Sequence, residues 1–458
     1  MLSRVRFKPP AFWQVLICGY LTFGRSFAYL GIPPLFIGEY FIARSLYVNH
    51  RRWIQRFLDD LFQMRLLAAG VGLTILWGLF EVMRSFVHGN TPTVDIIKTF
   101  AFNYYTIVLF IGMAYGADIT MPSFLRFWKR FAYFYCAYGI AQMAFSDFGW
   151  QLPWAGVLIF NDPSIAALVP VGILALWPYL ADWKLKYPVL FVSVLPMLYN
   201  PGRGAMLSMM VGVACVAMVS VQRVFTVAMI CVGLVVTLSI VGPMIPGGRV
   251  EVLDPVFPIS RLVATFDEDA AVRMLREAGY HAQADEWAYV ARGTANWRKT
   301  IWEGVVSSLD TTKLQLIGHG HGTDLSRFTP HGEDIRTPHN FVIFAIFYTG
   351  AIGLGFFCLL IAGILMRGYY IPERNMRALL FALVLMMCML AVVGNMFETP
   401  AGAIPFYLLC GIMLGMDYRR AVIVQPMMVV EQQPPPPPPP PVAPPPRRSP
   451  PRREVAPV

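Results

Sequence analysis

"HGEDIRTPHNFVIFAIFYTGAIGLGFF", residues 331–357, starts as polar, charged chain and turns apolar within a few residues, at Pro338-His339-Asn340. From Phe341 the apolar run is longer than the ~20 residues an α-helix needs to cross ~30 Å of hydrocarbon. The rest of the chain behaves alike. Of its 458 residues 56% are hydrophobic and 14% charged, against roughly 45–50% apolar and about 25% charged in a soluble domain. This composition implies an all-α, polytopic membrane protein and excludes an ordinary soluble enzyme.

Working outward from residue 340, spans are predicted at about 11–24, 26–47, 65–84, 96–116, 128–146, 162–181, 187–200, 203–221, 224–243, 340–366, 376–396 and 401–417. The start, "MLSRVRFKPPAFW", has no small-residue cleavage site after its apolar run, so it reads as an uncleaved first span. Arg25 interrupts the first two spans and the first is short. With about twelve spans, the loops carrying Arg51/Arg52/Arg56, Arg126/Lys129/Arg130, Lys184/Lys186, Arg367/Arg374/Arg377 and Arg419/Arg420 all face the cytoplasm, as does the terminus with Arg4, Arg6 and Lys8. The net charge of +10 is therefore a topology signal, and no nucleic-acid partner is implied. The seven cysteines all fall inside predicted spans, which leaves neither a disulfide framework nor a cysteine metal site.

The chain divides into N-terminal spans (1–243), a long polar loop outside the cytoplasm (244–339), C-terminal spans (340–417) and a Pro-rich cytoplasmic tail (418–458). In the loop, "TFDEDAAVRMLREAG" places Thr265 and Glu268 at capping-box spacing, with Gly279 as a stop. "ANWRKTIWEGVVSSLD" puts Trp297, Ile301, Val305 and Leu309 on one stripe of an amphipathic helix, with Arg298 and Trp302 on another face. "NHRRWIQRFLDDLFQMR" (49–65) reads as an extension of the third span or, alternatively, as a helix lying on the anionic leaflet. The tail "EQQPPPPPPPPVAPPPRRSPPRREVAPV" cannot form a core; it reads as an extended, disordered arm, either a spacer or a docking segment for a cytoplasmic partner.

Four places carry side chains suited to chemistry. Arg203, in "LYNPGRGAML", stands between two apolar runs at an outer turn, as a snorkelling anchor or as a ligand for an anion. Arg298 is either a solvated helix face or a second anion ligand. In "LIGHGHGTDL", Gly318, Gly320 and Gly322 permit tight turns and close approach of amides to an anion. His319 and His321, taken with His331 and His339, also raise a metal site, although no carboxylate or cysteine stands at convincing spacing. His339 sits at the mouth of a membrane helix, as a polar cap or as a neutral imidazole competent to accept a proton.

The order is a PGRG turn between spans, a long outer loop with Arg298-x-x-x-Trp302, a G-x-G-x-G turn, and Pro338-His339-Asn340 before a span with "YTGAIGLGFF". It resembles the O-antigen ligase and O-antigen polymerase superfamily over about residues 160–370. That resemblance implies a GT-C-like membrane glycosyltransferase of the bacterial inner membrane. It would transfer glycan at the periplasmic face from undecaprenyl diphosphate to the sugar hydroxyl of a lipid-linked or lipid A-core acceptor. It further implies Arg203 and Arg298 as diphosphate-binding residues and His339 as the catalytic residue; Asn340, Trp302, Gly318 and Gly320 are expected to support them. No cofactor or metal is implied, and the additional loop histidines depart from the family's pattern. A flippase or transporter of lipid-linked sugars and a protein O-oligosaccharyltransferase are the alternatives. A transporter would place charges near the membrane midplane; Glu39 is the clearest such residue here, with Arg25 interfacial.

Overall fold

The computed structural model describes residues 11–32, 35–63, 65–88, 92–145, 150–151, 158, 165, 167–199, 203–220, 225, 229, 256–263, 267–326 and 338–416. The expected span at 224–243, the tail, Thr265 and His331 lie outside them, apart from isolated residues 225 and 229. The described chain is helical except for a two-residue antiparallel ladder, Gly31–Ile32 with Leu35–Phe36, and one isolated bridge between Gln151 and Leu158.

The first half comprises α1 (Phe12–Phe23), α2 (Arg25–Ala28), α3 (Ile37–Val48), α4 (His50–Phe62), α5 (Leu66–His88), α6 (Thr93–Tyr104), α7 (Val108–Gly116), α8 (Met121–Phe145), α9 (Leu168–Ala175), α10 (Lys186–Tyr199) and α11 (Arg203–Ala217). The loop region contributes α12 (Val256–Val263), α13 (Glu268–Glu277), α14 (His281–Ser307) and α15 (Thr312–Ile317). The C-terminal part is α16 (Phe341–Tyr369), α17 (Arg374–Val393) and α18 (Pro400–Gly415). Among the described residues four segments are long and apolar enough to cross a membrane: Leu66–Val87, Thr93–Gly116, Phe341–Tyr369 and Arg374–Val393.

Three expectations change. The first two spans are helices of 12 residues each, joined through α2 and the Gly31–Phe36 hairpin. At 1.5 Å per residue each is about 18 Å long, short of ~30 Å of hydrocarbon. The 49–65 segment does not extend the next span: the helix ends at Phe62 and a new one starts at Leu66. Asp60 is why, because its buried carboxylate accepts the amide of Ala68 at 3.1 Å and so caps α5 from the preceding helix. In the loop, Asp267 caps α13 by accepting from the amide of Ala270 at 2.9 Å, two residues after the expected Thr265.

Glycines set the closest helix pairs, since without Cβ atoms backbones approach directly. Gly112 and Gly116 of α7 face Gly411 and Gly415 of α18, where a methyl group on any of the four would meet opposing backbone. Leu73, Leu76, Phe80 and Met83 along α5 remain exposed, as the outward face of a lipid-facing helix would.

Helix α16 is broken at Gly350, whose φ is +68°. The carbonyls freed by the break are taken by the chain after α15: the amide of His319 donates to Phe347 at 2.7 Å and that of Gly320 to Tyr348 at 3.1 Å. The indole of Trp77 donates to Thr349 at 2.9 Å.

Candidate active site

The first turn of α16 is assembled from its neighbours. Asn340 caps the helix, its side-chain oxygen accepting the amides of Val342 at 2.9 Å and Ile343 at 3.2 Å. Trp302 of α14 donates its indole N–H to the carbonyl of Pro338 at 2.7 Å. Between those two fixed residues His339 adopts φ +53°, the one non-glycine with positive φ among the described residues. Left-handed backbone costs a non-glycine residue about 1–2 kcal/mol, so the neighbouring contacts hold His339 in a conformation it would not choose.

Its imidazole is half-buried and meets the Trp297 ring edge-on at 5.8 Å. Burial, then the guanidiniums of Arg298 and Arg25, lower its pKa from the usual 6.5 to about 4. The ring is therefore neutral at pH 7 and faces cationic groups from α14 and α2. Arg298 is half-buried one residue after Trp297.

The loop between α17 and α18 closes the other side. Phe397 packs on Phe341 with ring centroids 5.2 Å apart, which brings Glu398 beside the His339 turn. Glu398 is 7% exposed, with no side-chain partner for its carboxylate among the described residues. Burial raises its pKa to about 8, with the nearby amides of 396–398 and Arg25 opposing. Arg203 opens α11 at this same end: a methyl on the next residue, Gly204, would contact Val393 at 2.8 Å. The Arg203 backbone thus stands near the 394–399 loop.

Of the residues expected from sequence, Arg298, His339, Trp302 and Asn340 come together, and the Arg203 backbone joins them at the same end. Arg25 and Glu398 were missed as site residues. Arg25 had the signal of a charge interrupting an apolar run; Glu398 had only that of a lone acid in a short turn between spans.

Gly318 and Gly320 do not line this site. Their φ values are +68° and +92°, and methyl groups there would fall 2.6 Å from the Phe347 carbonyl and 2.8 Å from the Ser85 hydroxyl. The amides of Gly318, His319, Gly320 and Gly322 go to Leu314, Phe347, Tyr348 and the hydroxyl of Thr99. The turn is a plug against α16 and α5 instead of an anion cradle. Arg84 of α5 secures it, donating to the carbonyls of Ile317 at 3.0 Å and Gly318 at 2.9 Å while paired with Glu81 at 2.5 Å.

The two histidines of that turn are occupied separately. His319 lies 3.0 Å from the Ser308 hydroxyl, whereas His321 is sealed among Phe100, Phe102 and Tyr348. Among the described residues no three His, Cys, Asp or Glu side chains stand where they would hold a metal ion. Glu39 accepts from Tyr105 at 2.6 Å and Tyr104 at 3.4 Å.

The arrangement defines a class: an all-helical protein with membrane-length apolar helices and a charged, half-buried cluster at one end of them. No protein-family model and no curated protein matches the chain, so the functional reading rests on the residues themselves.

Proposed function

We propose that this is a polytopic membrane glycosyltransferase of the GT-C kind, with about twelve spans, in the bacterial inner membrane and with its His339 end at the periplasmic face. The donor is glycan linked to undecaprenyl diphosphate, and the acceptor is the sugar hydroxyl of a lipid-linked chain or a lipid A core. The observation that carries this reading is a neutral His339, held in a left-handed turn, facing Arg298 and Arg25 where apolar helices end. A polyprenyl donor needs such a place, because its tail stays in the bilayer while its diphosphate lies at headgroup depth.

In the proposed reaction His339 takes the proton of the acceptor hydroxyl as that oxygen attacks the anomeric carbon. The bond from that carbon to the diphosphate oxygen breaks, and the departing diphosphate keeps the electron pair. Arg298 and Arg203 bind it through their guanidinium forks and stabilise its growing charge, with Arg25 adding to the field. Free of donor, His339 has a pKa near 4 and is a weak base. A diphosphate among the arginines offsets their charge and raises that pKa, so the base becomes competent when the donor is seated. Trp302 and Asn340 act through the backbone on either side of His339, as positioning residues.

A transporter reading would draw on the buried Glu81–Arg84 pair. That pair is tied to the carbonyls of Ile317 and Gly318, which favours the enzyme. The test is transfer by purified protein from an undecaprenyl-diphosphate glycan. His339→Ala should lose turnover while retaining donor binding, and Arg298→Ala or Arg203→Ala should weaken donor binding as well. Near-normal transfer by His339→Ala would overturn the reading.

A further inference from the structure

At the end of the helices opposite His339, a cavity of about 570 Å³ opens between the start of α5, the last turns of α16 and the end of α18. Its lining has two characters. Arg65 and Arg367 supply guanidinium groups, and Leu66, Leu67, Met366 and Leu414 supply apolar wall.

Among the described residues positive charge is in excess there. Asp60, 2% exposed, is the carboxylate of the cluster, and both its oxygens are engaged, one by Arg367 and the other by the Ala68 amide. Arg56, on the preceding turn of α4, also acts on Arg367. Arg65 stands 3.7 Å from Asp60, beyond hydrogen-bond reach, with its side chain 49% exposed. Among the described residues one carboxylate, that of Asp60, thus stands with the guanidiniums of Arg367 and Arg65, Arg56 adds positive charge beside Arg367, and the Arg65 guanidinium makes no hydrogen bond. Asp59, the neighbouring acid, lies on the exposed side of α4.

The surroundings are apolar and open. Leu61 and Phe62 at the end of α4, Leu66, Met366, Tyr369 and Tyr370 are all exposed. Exposed tyrosines beside arginines at the end of an apolar helix match a headgroup level, with hydrocarbon below it.

We propose that this cavity binds an anionic glycerophospholipid of the adjoining leaflet, its phosphate on Arg65 and an acyl chain along Leu66, Met366 and Leu414. The charge asymmetry requires an anion, and the apolar wall requires that the anion carry a hydrocarbon chain. By the distribution of basic loops this leaflet is the cytoplasmic one. The site lies at the far end of α16 from His339 and is independent of the transfer reaction.

The test is native mass spectrometry of the full-length protein released from detergent, with dioleoyl-phosphatidylglycerol, dioleoyl-phosphatidylcholine or inorganic phosphate added. Phosphatidylglycerol should be retained about tenfold better than phosphatidylcholine, and millimolar phosphate should not displace it. Arg65→Glu should lower its binding on the order of tenfold or more, as expected for loss of a charged hydrogen-bonding arm. Met366→Trp, which fills the wall and leaves every charge in place, should lower it too. Thermal unfolding without added lipid checks that both variants are folded. Equal retention of the two lipids, unchanged binding in both folded variants, or displacement by phosphate would each overturn the proposal.

Discussion

The turn at 318–322 and the turn at 338–340 both bring histidines to α16, and they are built in opposite ways. In the first, backbone amides are bonded to α15, α16 and the Thr99 hydroxyl, and one histidine is enclosed by aromatic rings. In the second, the neighbours of the histidine are fixed and the ring itself faces arginines. A histidine whose surroundings satisfy the backbone around it and leave its own ring among cations is poised for a ligand. One whose ring is closed off by apolar groups serves packing. Sequence spacing looks equally suggestive for both.

The sharpest break of this comparison is catalytic. His339→Ala should reduce transfer by about 10²–10⁴-fold, the usual consequence of removing a general base, whereas His321→Phe should leave the transfer rate within a few-fold of wild type. Both are read in the same purified-protein assay, and the reverse ranking would exchange the roles of the two turns.

The next effect is on stability. A methyl on Gly350 would collide with the Leu316 carbonyl, at a φ that a side chain tolerates poorly. Gly350→Ala should cost on the order of 2–4 kcal/mol through overpacking and backbone strain, seen as a lower unfolding temperature in detergent. An unchanged temperature would mean that the plug is not seated against the helix break.

Third comes pH. Burial, then Arg84, lowers the pKa of His321 to about 3. The folded ring therefore refuses a proton that the unfolded chain accepts below about 6.5. Stability should be unaffected above that pH and fall as pH drops from about 6.5 towards about 3, by up to roughly 1.4 kcal/mol per unit. Thermal unfolding across pH 7 to 4.5 checks this, and His321→Phe should flatten the slope, since neither ring nitrogen has a hydrogen-bond partner among the described residues. His339 should instead declare itself in the rate: the acid limb of kcat, which reports the donor complex, should lie at higher pH than that of kcat/KM, which reports the free enzyme with its His339 pKa near 4. Coincident limbs in wild type for kcat and kcat/KM would remove the donor-raised pKa.

The smallest effect belongs to the cap. Asn340→Ala should cost about 0.5–2 kcal/mol of helix stability, with a modest loss of rate as the His339 turn loosens. Asn340→Ser or Asn340→Asp, which keep an acceptor oxygen, should restore both.

The helical class, the long apolar segments, the amphipathic stripe of α14 and the helix start after Asn340 were legible in the sequence. Each rests on local information, namely residue composition, a 3.6-residue period or a capping side chain next to the helix it caps. So were the positions of Arg298, on another face of that amphipathic helix, and of His339, just before an apolar run. What the tertiary structure decided was which groups share a space. The Arg25 guanidinium acts on His339, 314 positions away, and Phe397 packing on Phe341, 56 positions away, brings Glu398 alongside. The same holds for the GHGHG turn. Its glycines announce a close backbone approach, and only the break in α16 at Gly350, with two carbonyls needing donors, determines that the thing approached is a helix.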